Sequence, residues 1–291
     1  MAFYQVLKGV GGPVLRGVYH PWIQGVENIP KEGPAILASN HNAVWDSIFL
    51  PALINREVAF MGKADYFTGT GVKGWAVKNF MKAVGTIPVD RAGGKAAEAA
   101  MQAGLDRLRR GELFGIYPEG TRSPDGRLYR GKTGVARLSL ESGAPVIPVA
   151  MIGTHAAQPI GQKIPNRSDI GVVIGKPLDF SRYRQLAKDR YVLRAITDEI
   201  MYNLMLLSGQ EYVDLYAADV KAELAEKGEF EGPIPGGAKA PGGRPVPEVE
   251  RPTKPIPEET EAVDLAEDVG ADGLSAVEID LGSVDLDSEE S

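Results

Sequence analysis

Ala35-Ile36-Leu37-Ala38-Ser39-Asn40-His41 is the stretch of sequence that best indicates the fold. Four consecutive apolar residues predict a short strand that is buried on both faces, and the polar residues after them predict a loop. The same order recurs at residues 113–117, which precede the turn-forming residues 118–123, and at residues 84–89, which precede Asp90-Arg91. This recurrence favours a sheet of parallel strands.

Helical patterns between these strands predict an α/β domain. Residues 94–110 form the strongest helical pattern, and Gly111 is a suitable end for it. Other segments predict two further helices, two further strands and one long amphipathic segment, at 47–54, 133–142, 145–152, 170–174 and 189–226. We expect one domain with a central mixed, largely parallel sheet that is flanked by helices.

The charge of −7 averages two unlike parts of the 291-residue chain. Residues 228–291 contain 4 Lys and Arg against 17 Asp and Glu, a net charge of −13. Residues 1–227 hold the remaining 28 basic and 22 acidic residues, a net charge of +6 that favours anionic partners. With eight prolines in 231–257, the sequence predicts a folded domain at 1–227 and a Pro/Gly-rich, then acidic, disordered tail at 228–291.

Composition excludes several kinds of chemistry. The chain has no cysteine, so disulfides, thiolate nucleophiles and thiolate metal sites are excluded. Its three histidines form no zinc-binding pattern, and no metal is expected. No apolar run has the length of a spanning helix, and no signal peptide is evident. Residues 1–20 are amphipathic, which fits either an interfacial anchor or a helix packed on the domain.

His41 and Asp46 form a His-x4-Asp pair in the loop after the strand at 35–38. A carboxylate bonded to one ring nitrogen of a neutral histidine fixes its tautomer. The other nitrogen is then free to take a proton from a hydroxyl group. Such pairs also occur by chance, so the alternative for His41 is a structural histidine.

A second polar segment, Tyr117-Pro118-Glu119-Gly120-Thr121-Arg122-Ser123, contains the residues of a tight turn. The guanidinium of Arg122 offers two donors that match a phosphate group. Arg91, at the end of Gly85-Thr86-Ile87-Pro88-Val89-Asp90-Arg91, is a second candidate for anion binding. The alternatives are a surface ion pair between Glu119 and Arg122 and a solvated Arg91.

Residues 41–46, Arg91 and residues 119–122 each follow the carboxyl end of a predicted strand. In an open α/β sheet with neighbouring parallel strands, those ends form the binding crevice. If the strands are neighbours, the three motifs meet at one site. That site would remove a proton from an alcohol beside a phosphate.

This combination of motifs resembles the glycerolipid acyltransferase family, and most closely its bacterial branch that acylates 1-acylglycerol 3-phosphate. The resemblance covers roughly residues 20–180 and rests on four blocks, which begin at Asn40, Gly85, Tyr117 and Val146. The family often has phenylalanine where this chain has Tyr117. It also often has an N-terminal membrane span or two-helix anchor, where this chain has only the amphipathic segment.

The resemblance implies a role for individual residues. His41 and Asp46 match the catalytic histidine and aspartate of the family. The residues that match its substrate phosphate-binding positions are Arg91, Glu119, Gly120, Thr121 and Arg122. Trp45 and Phe49 are candidates for an acyl groove, with core packing as the alternative.

The resemblance implies transfer of a fatty acyl group from a thioester, either acyl-coenzyme A or acyl carrier protein, to the free hydroxyl of lysophosphatidic acid. The product would be phosphatidic acid in phospholipid biosynthesis. We expect no cofactor beyond the thioester co-substrate, no nucleic acid, and a peripheral position on the cytoplasmic side of the cell membrane. The alternatives are another acceptor (glycerol 3-phosphate, a lysophospholipid or a glycolipid) and a non-catalytic protein that binds anionic lipid.

Overall fold

Nine strands are present in a computed structural model of the chain, which describes residues 12–63, 65–71, 74–75, 78, 81, 86–89, 94–160, 162 and 164–228. Seven of them form one sheet, and the other two form a separate pair within the described residues. In chain order the strands are β1 Trp22–Gln24, β2 Ala35–Ser39, β3 Val58–Lys63, β4 Ile87–Val89, β5 Leu113–Ile116, β6 Leu128–Tyr129, β7 Val146–Ile152, β8 Gly171–Ile174 and β9 Tyr212–Val213.

Helices connect most of these strands. The α-helices are α1 Gly12–Tyr19, α2 Asp46–Leu53, α3 Asp65–Thr68, α4 Gly94–Arg109, α5 Gly134–Ser142, α6 Thr154–Ala157, α7 Arg190–Ser208 and α8 Ala217–Glu226. Short 3₁₀ helices lie at Val26–Asn28 and Ser181–Leu186.

The strand order of the large sheet is β1-β8-β7-β2-β5-β3-β4. β2 pairs in parallel with β5 on one side and with β7 on the other, and β3 and β4 continue the parallel part. β8 runs antiparallel to β7, and β1 runs parallel to β8. The predicted α/β class with a mixed, largely parallel sheet is therefore confirmed. β2 and β5 are neighbours, as the predicted crevice requires of the first and third motifs. β3 lies between β5 and β4, the strand that precedes Arg91, so the third strand of the predicted crevice is not their neighbour.

The core lies on both faces of this sheet because successive side chains of a strand point in opposite directions. Ile36 and Ala38 of β2 pack into one cluster, with buried residues of α4, α5 and α7. Ala35 and Leu37 pack into the other cluster, with Phe49 and Leu50 of α2. All five residues of β2 are buried, which is the pattern of a central parallel strand.

The amphipathic segment predicted at 189–226 is divided into two helices. Asp189 caps the start of α7, where its Oδ1 accepts from the backbone N–H of Tyr191 at 2.8 Å and of Val192 at 3.2 Å. α7 ends at Gly209, whose φ of 67° lies in the left-handed region that favours glycine. β9 and α8 follow. The sequence did not predict the break at Gly209 because the spacing of apolar residues continues past it, although the chain changes direction there.

Several predictions lie outside the described residues. They concern Asp90 and Arg91, residues 1–11 of the amphipathic segment, and residues 229–291 of the tail. In the described part of the chain, no helix has both the length and the apolar character needed to cross a membrane. α1 packs Leu15 and Tyr19 against the core cluster that contains Phe49.

Candidate active site

The loops after β2 and β5 lie side by side because these strands are parallel neighbours. Ser123 N donates to the carbonyl oxygen of His41 at 2.6 Å. His41 N donates to Glu119 Oε1 at 2.9 Å. The backbone of His41 is thus held from both sides by the turn that follows β5, and the first and third sequence blocks meet at one point.

His41 and Asp46 are in contact through their side chains. The distance from His41 Nδ1 to Asp46 Oδ2 is 3.0 Å. Asp46 is fully buried, whereas 15% of the His41 side chain is exposed. A buried carboxylate therefore lies behind a histidine ring that solvent and substrate can reach.

The surroundings of Asp46 define the tautomer of His41. Asp46 Oδ2 accepts from the backbone N–H groups of Asn42 at 2.7 Å and Ala43 at 2.8 Å. An oxygen that accepts from two N–H groups acts as an acceptor toward its third neighbour as well, so His41 Nδ1 carries the hydrogen. In the neutral ring, Nε2 is then the nitrogen without a hydrogen, which is the state required of a general base.

Tyr117 supports the His41 ring. The two rings are stacked with centroids 3.8 Å apart and an interplanar angle of 11°. The Tyr117 hydroxyl is 2.7 Å from Ser47 Oγ. Burial and the neighbouring Asp46 hold the pKa of Tyr117 well above its usual value, so its hydroxyl stays protonated. Phe60 also stacks on Tyr117, with ring centroids 5.5 Å apart. The stack limits rotation of the imidazole.

Glu119 does not occupy the position that a phosphate-binding role requires. It is only 1% exposed, and its Oε2 accepts from the backbone N–H of Tyr129 at 2.9 Å while Oε1 accepts from His41 N. Burial raises the pKa of Glu119 to about 8, with the Asp46 charge acting in the same direction. A carboxyl that is enclosed in this way supports the turn from beneath and does not contact a phosphate.

The other residues of the turn are more accessible. Gly120 is exposed and has a φ of 74°, which suits glycine. Thr121 and Arg122 are partly exposed. The Lys132 side chain lies next to Gly120. A Cβ atom at Gly120 would be 3.3 Å from Lys132 Nζ. Arg122 and Lys132 form no ion pair with a described residue. This part of the turn can therefore receive an anion.

The remaining predicted site residues have mixed outcomes. Arg91 lies outside the described residues, so its role stays a prediction. Phe49 is 1% exposed and belongs to the core, which supports the core-packing alternative over an acyl groove. Trp45 is partly exposed and packs on Tyr19 and Phe49, with centroid distances of 6.3 and 5.9 Å. Trp45 alone of the pair can line a groove.

Two residues of this site were not identified from the sequence. Gln210 Nε2 donates to Asn42 Oδ1 at 3.1 Å and to the carbonyl oxygen of Gly126 at 2.6 Å, and Gln210 Oε1 accepts from Asn40 Nδ2 at 2.7 Å. Lys221 Nζ donates to Thr121 Oγ1 at 3.0 Å and to the carbonyl oxygen of Arg122. No sequence signal marks either residue, because both follow α7 in segments of ordinary composition.

Among the residues that the structure describes, no group of three or more His, Asp and Glu side chains could hold a metal ion. The site combines a partly exposed histidine, a buried carboxylate and a turn that carries Arg122. These are the elements of proton transfer from a hydroxyl group beside an anion.

Comparison with known proteins agrees with this class of site. Residues 20–152 match the sequence model of the family described as Acyltransferase. This match includes His41, Asp46 and residues 119–122. The resemblance to the glycerolipid acyltransferase family, which the four sequence blocks predict, is confirmed.

Particular relatives are named as 1-acyl-sn-glycerol-3-phosphate acyltransferases. The chloroplastic BAT2 of Brassica napus is 32% identical over 162 residues, which cover 55% of this chain and 45% of the relative. A Bacillus subtilis relative is 28% identical over 177 residues, which cover 60% of this chain and 81% of the relative. The matched part thus spans less than half the length of the Brassica relative.

A solved structure shares the fold. It is the crystal structure of the 1-acyl-sn-glycerophosphate (LPA) acyltransferase PlsC from Thermotoga maritima, with a TM-score of 0.54 and 21% sequence identity. The alignment covers 69% of this chain and 77% of that one.

Proposed function

We propose that this chain is a 1-acylglycerol-3-phosphate O-acyltransferase, which moves a fatty acyl group from a thioester to the free hydroxyl of lysophosphatidic acid. The observation that carries the proposal is the contact between His41 and Asp46 beside a turn that presents Arg122. The names of the relatives support the choice of acceptor. The product is phosphatidic acid, an intermediate of phospholipid biosynthesis.

The reaction begins with the acceptor hydroxyl on His41 Nε2. As the hydroxyl oxygen attacks the thioester carbonyl carbon, the proton moves to Nε2, and Asp46 stabilises the imidazolium through Nδ1–H. The tetrahedral intermediate collapses with cleavage of the C–S bond. The imidazolium then protonates the leaving thiolate of coenzyme A or of an acyl carrier protein. The hydroxyl attacks directly, so no acyl-enzyme forms.

The acceptor phosphate lies on the turn after β5 in this scheme. Arg122 holds it through two parallel hydrogen bonds, and Gly120 and Thr121 form the adjoining backbone. Arg91 is a second cation of the same subsite. The fatty acyl group of the donor lies along Trp45.

The folded part of the protein, with a net charge of +6, lies peripherally on the anionic cytoplasmic surface of the cell membrane.

The test is acyl transfer to lysophosphatidate from several thioesters by the purified wild type, His41→Ala and Asp46→Asn. We expect both substitutions to lower kcat by about 10²–10⁴-fold, because the first removes the base and the second inverts its tautomer. Lys188→Met, on the exposed segment before α7, is the control and should retain full activity.

An acceptor panel separates the alternatives. Wild type should prefer lysophosphatidate over glycerol 3-phosphate, other lysophospholipids and glycolipids at equal concentration. Preference for one of those acceptors would assign the enzyme to it. Near-normal transfer by His41→Ala would refute the mechanism, and binding of anionic vesicles without any acyl transfer would indicate a non-catalytic lipid-binding protein.

A further inference from the structure

Lys221 lies on α8, 100 residues after Thr121 in sequence and outside the segment that matches the acyltransferase family. Its ammonium group nevertheless contacts the turn that carries Gly120, Thr121 and Arg122. Nothing in the sequence blocks or in the family match gives this lysine a role.

The geometry leaves Lys221 with donor capacity. An ammonium group has three hydrogens, and the described residues accept two of them, at Thr121 Oγ1 and the carbonyl oxygen of Arg122. Lys221 forms no ion pair with a described residue and is partly exposed. The third hydrogen is therefore available to a ligand.

The electrostatics of the turn favour an anion beside Lys221. Burial and the Arg122 guanidinium lower the pKa of Lys221 to about 8, and the Glu119 charge opposes this only weakly. Lys132 adds a further cation beside Gly120. The positive charges of Lys221 and Arg122 are thus held close together in a half-buried position, which costs free energy until an anion neutralises them.

We propose that Lys221 of α8 is a substrate-binding residue that completes the acceptor-phosphate subsite together with Arg122. The role rests on the proposed function, since it needs a phosphorylated acceptor. The proposal also gives α8, which lies outside the segment that matches the family, a function in binding the acceptor phosphate.

The test compares Lys221→Met and Lys221→Arg with wild type and with Lys188→Met. Met keeps the unbranched apolar stem and removes the charge, whereas Arg keeps the charge. We expect Lys221→Met to raise the KM for lysophosphatidate by about 10- to 100-fold, the loss that corresponds to one charge-assisted hydrogen bond, with kcat within about threefold of wild type. Lys221→Arg should recover most of the affinity.

A lysine that only clamps the backbone of the turn gives a different result. Its removal would lower kcat or thermal stability and leave KM unchanged, and that outcome overturns the proposal. So does a KM for Lys221→Met within twofold of wild type.

The pH dependence provides a second measurement in case Lys221→Met does not fold. For wild type, the KM for lysophosphatidate should rise as pH passes about 8, where Lys221 loses its proton. In Lys221→Arg this rise should move to higher pH, because a guanidinium stays charged there. Identical KM profiles for the two proteins would overturn the proposal. Absence of transfer to lysophosphatidate by wild type would instead reject the proposed function, and this role with it.

Discussion

Glu119 is the single residue that joins the two motif loops most directly. One of its oxygens accepts from the backbone of His41 and the other from the backbone of Tyr129. The side chain is almost fully enclosed. Its removal leaves the backbone N–H groups of His41, the proposed base, and Tyr129 without this acceptor.

We expect Glu119→Gln to destabilise the protein by about 1–3 kcal/mol at pH 5, because the hydroxyl oxygen of the protonated carboxyl can still accept from a backbone N–H, whereas the amide turns an N–H₂ group toward that donor. Urea unfolding at pH 5 measures this change.

The loss of stability caused by Glu119→Gln should depend on pH in a defined direction. Between 4.5 and about 8 the unfolded chain has lost the proton of Glu119 while the folded state keeps it. The stability due to this group is therefore complete below 4.5 and is lost as pH rises through about 8.

The stability gap between wild type and Glu119→Gln should accordingly narrow from pH 5 to pH 7.5. Groups that titrate equally in both proteins cancel in the difference between their free energies of unfolding. The upper pH of 7.5 lies below the pKa of Lys221, which is about 8. A gap that is constant or widens over this range would show that the pKa of Glu119 is not raised.

The residues that follow α7 lie outside the part of the chain that matches the family, and they nevertheless contact the loops of the site. β9 pairs in parallel with β6, which follows the turn. Gln210 joins Asn40, Asn42 and Gly126, and Asn40 in turn exchanges hydrogen bonds with the backbone of Met151 on β7. The loop that carries His41 is therefore fixed by a residue far away in sequence.

We expect Gln210→Ala to lower kcat by about 10- to 100-fold with a smaller change in KM, because the loop of His41 loses its support and the base moves out of alignment. Steady-state kinetics with lysophosphatidate provide the measurement, and circular dichroism checks that the fold is intact. Gln185→Ala, at an exposed position of the Ser181–Leu186 turn, is the matched control. Equal kinetics for Gln210→Ala and Gln185→Ala would contradict this role.

At the scale of the whole molecule, the two parts of the chain differ in the sign of their charge. Residues 1–227 carry +6 and residues 228–291 carry −13. Charges of opposite sign in one chain weaken its net attraction to an anionic surface, and salt reduces the effect.

A chain that ends at Gly228 should therefore bind vesicles of anionic lipid more tightly than the full chain, and the difference should shrink as salt rises. Vesicle sedimentation at low and high salt measures it, with neutral vesicles as the control. A full chain in which the tail carboxylates are changed to amides keeps the 4 Lys and Arg of the tail, so it should bind at least as tightly as the shortened chain. Equal binding of the full and shortened chains at low salt would contradict this expectation.

Much of the fold could be predicted because its signals are local. Each predicted strand at 35–38, 113–117 and 145–152 is an apolar run, and each observed strand lies within about a residue or two of its predicted ends. The strands β1, β3, β6 and β9 were not predicted, and the last two have only two residues each, which carry no periodicity. The break at Gly209 was missed because the apolar spacing continues beyond it.

The sequence by itself determined the α/β class and the pairing of His41 with Asp46, because five residues of loop before α2 suffice to bring those side chains together. Only the tertiary structure decided that Glu119 lies beneath the turn, and that Gln210 and Lys221 belong to the site. Their contacts join residues 78, 170 and 100 positions apart. Such contacts depend on which strands are neighbours and on how the chain returns after α7, and no local pattern of residues records either.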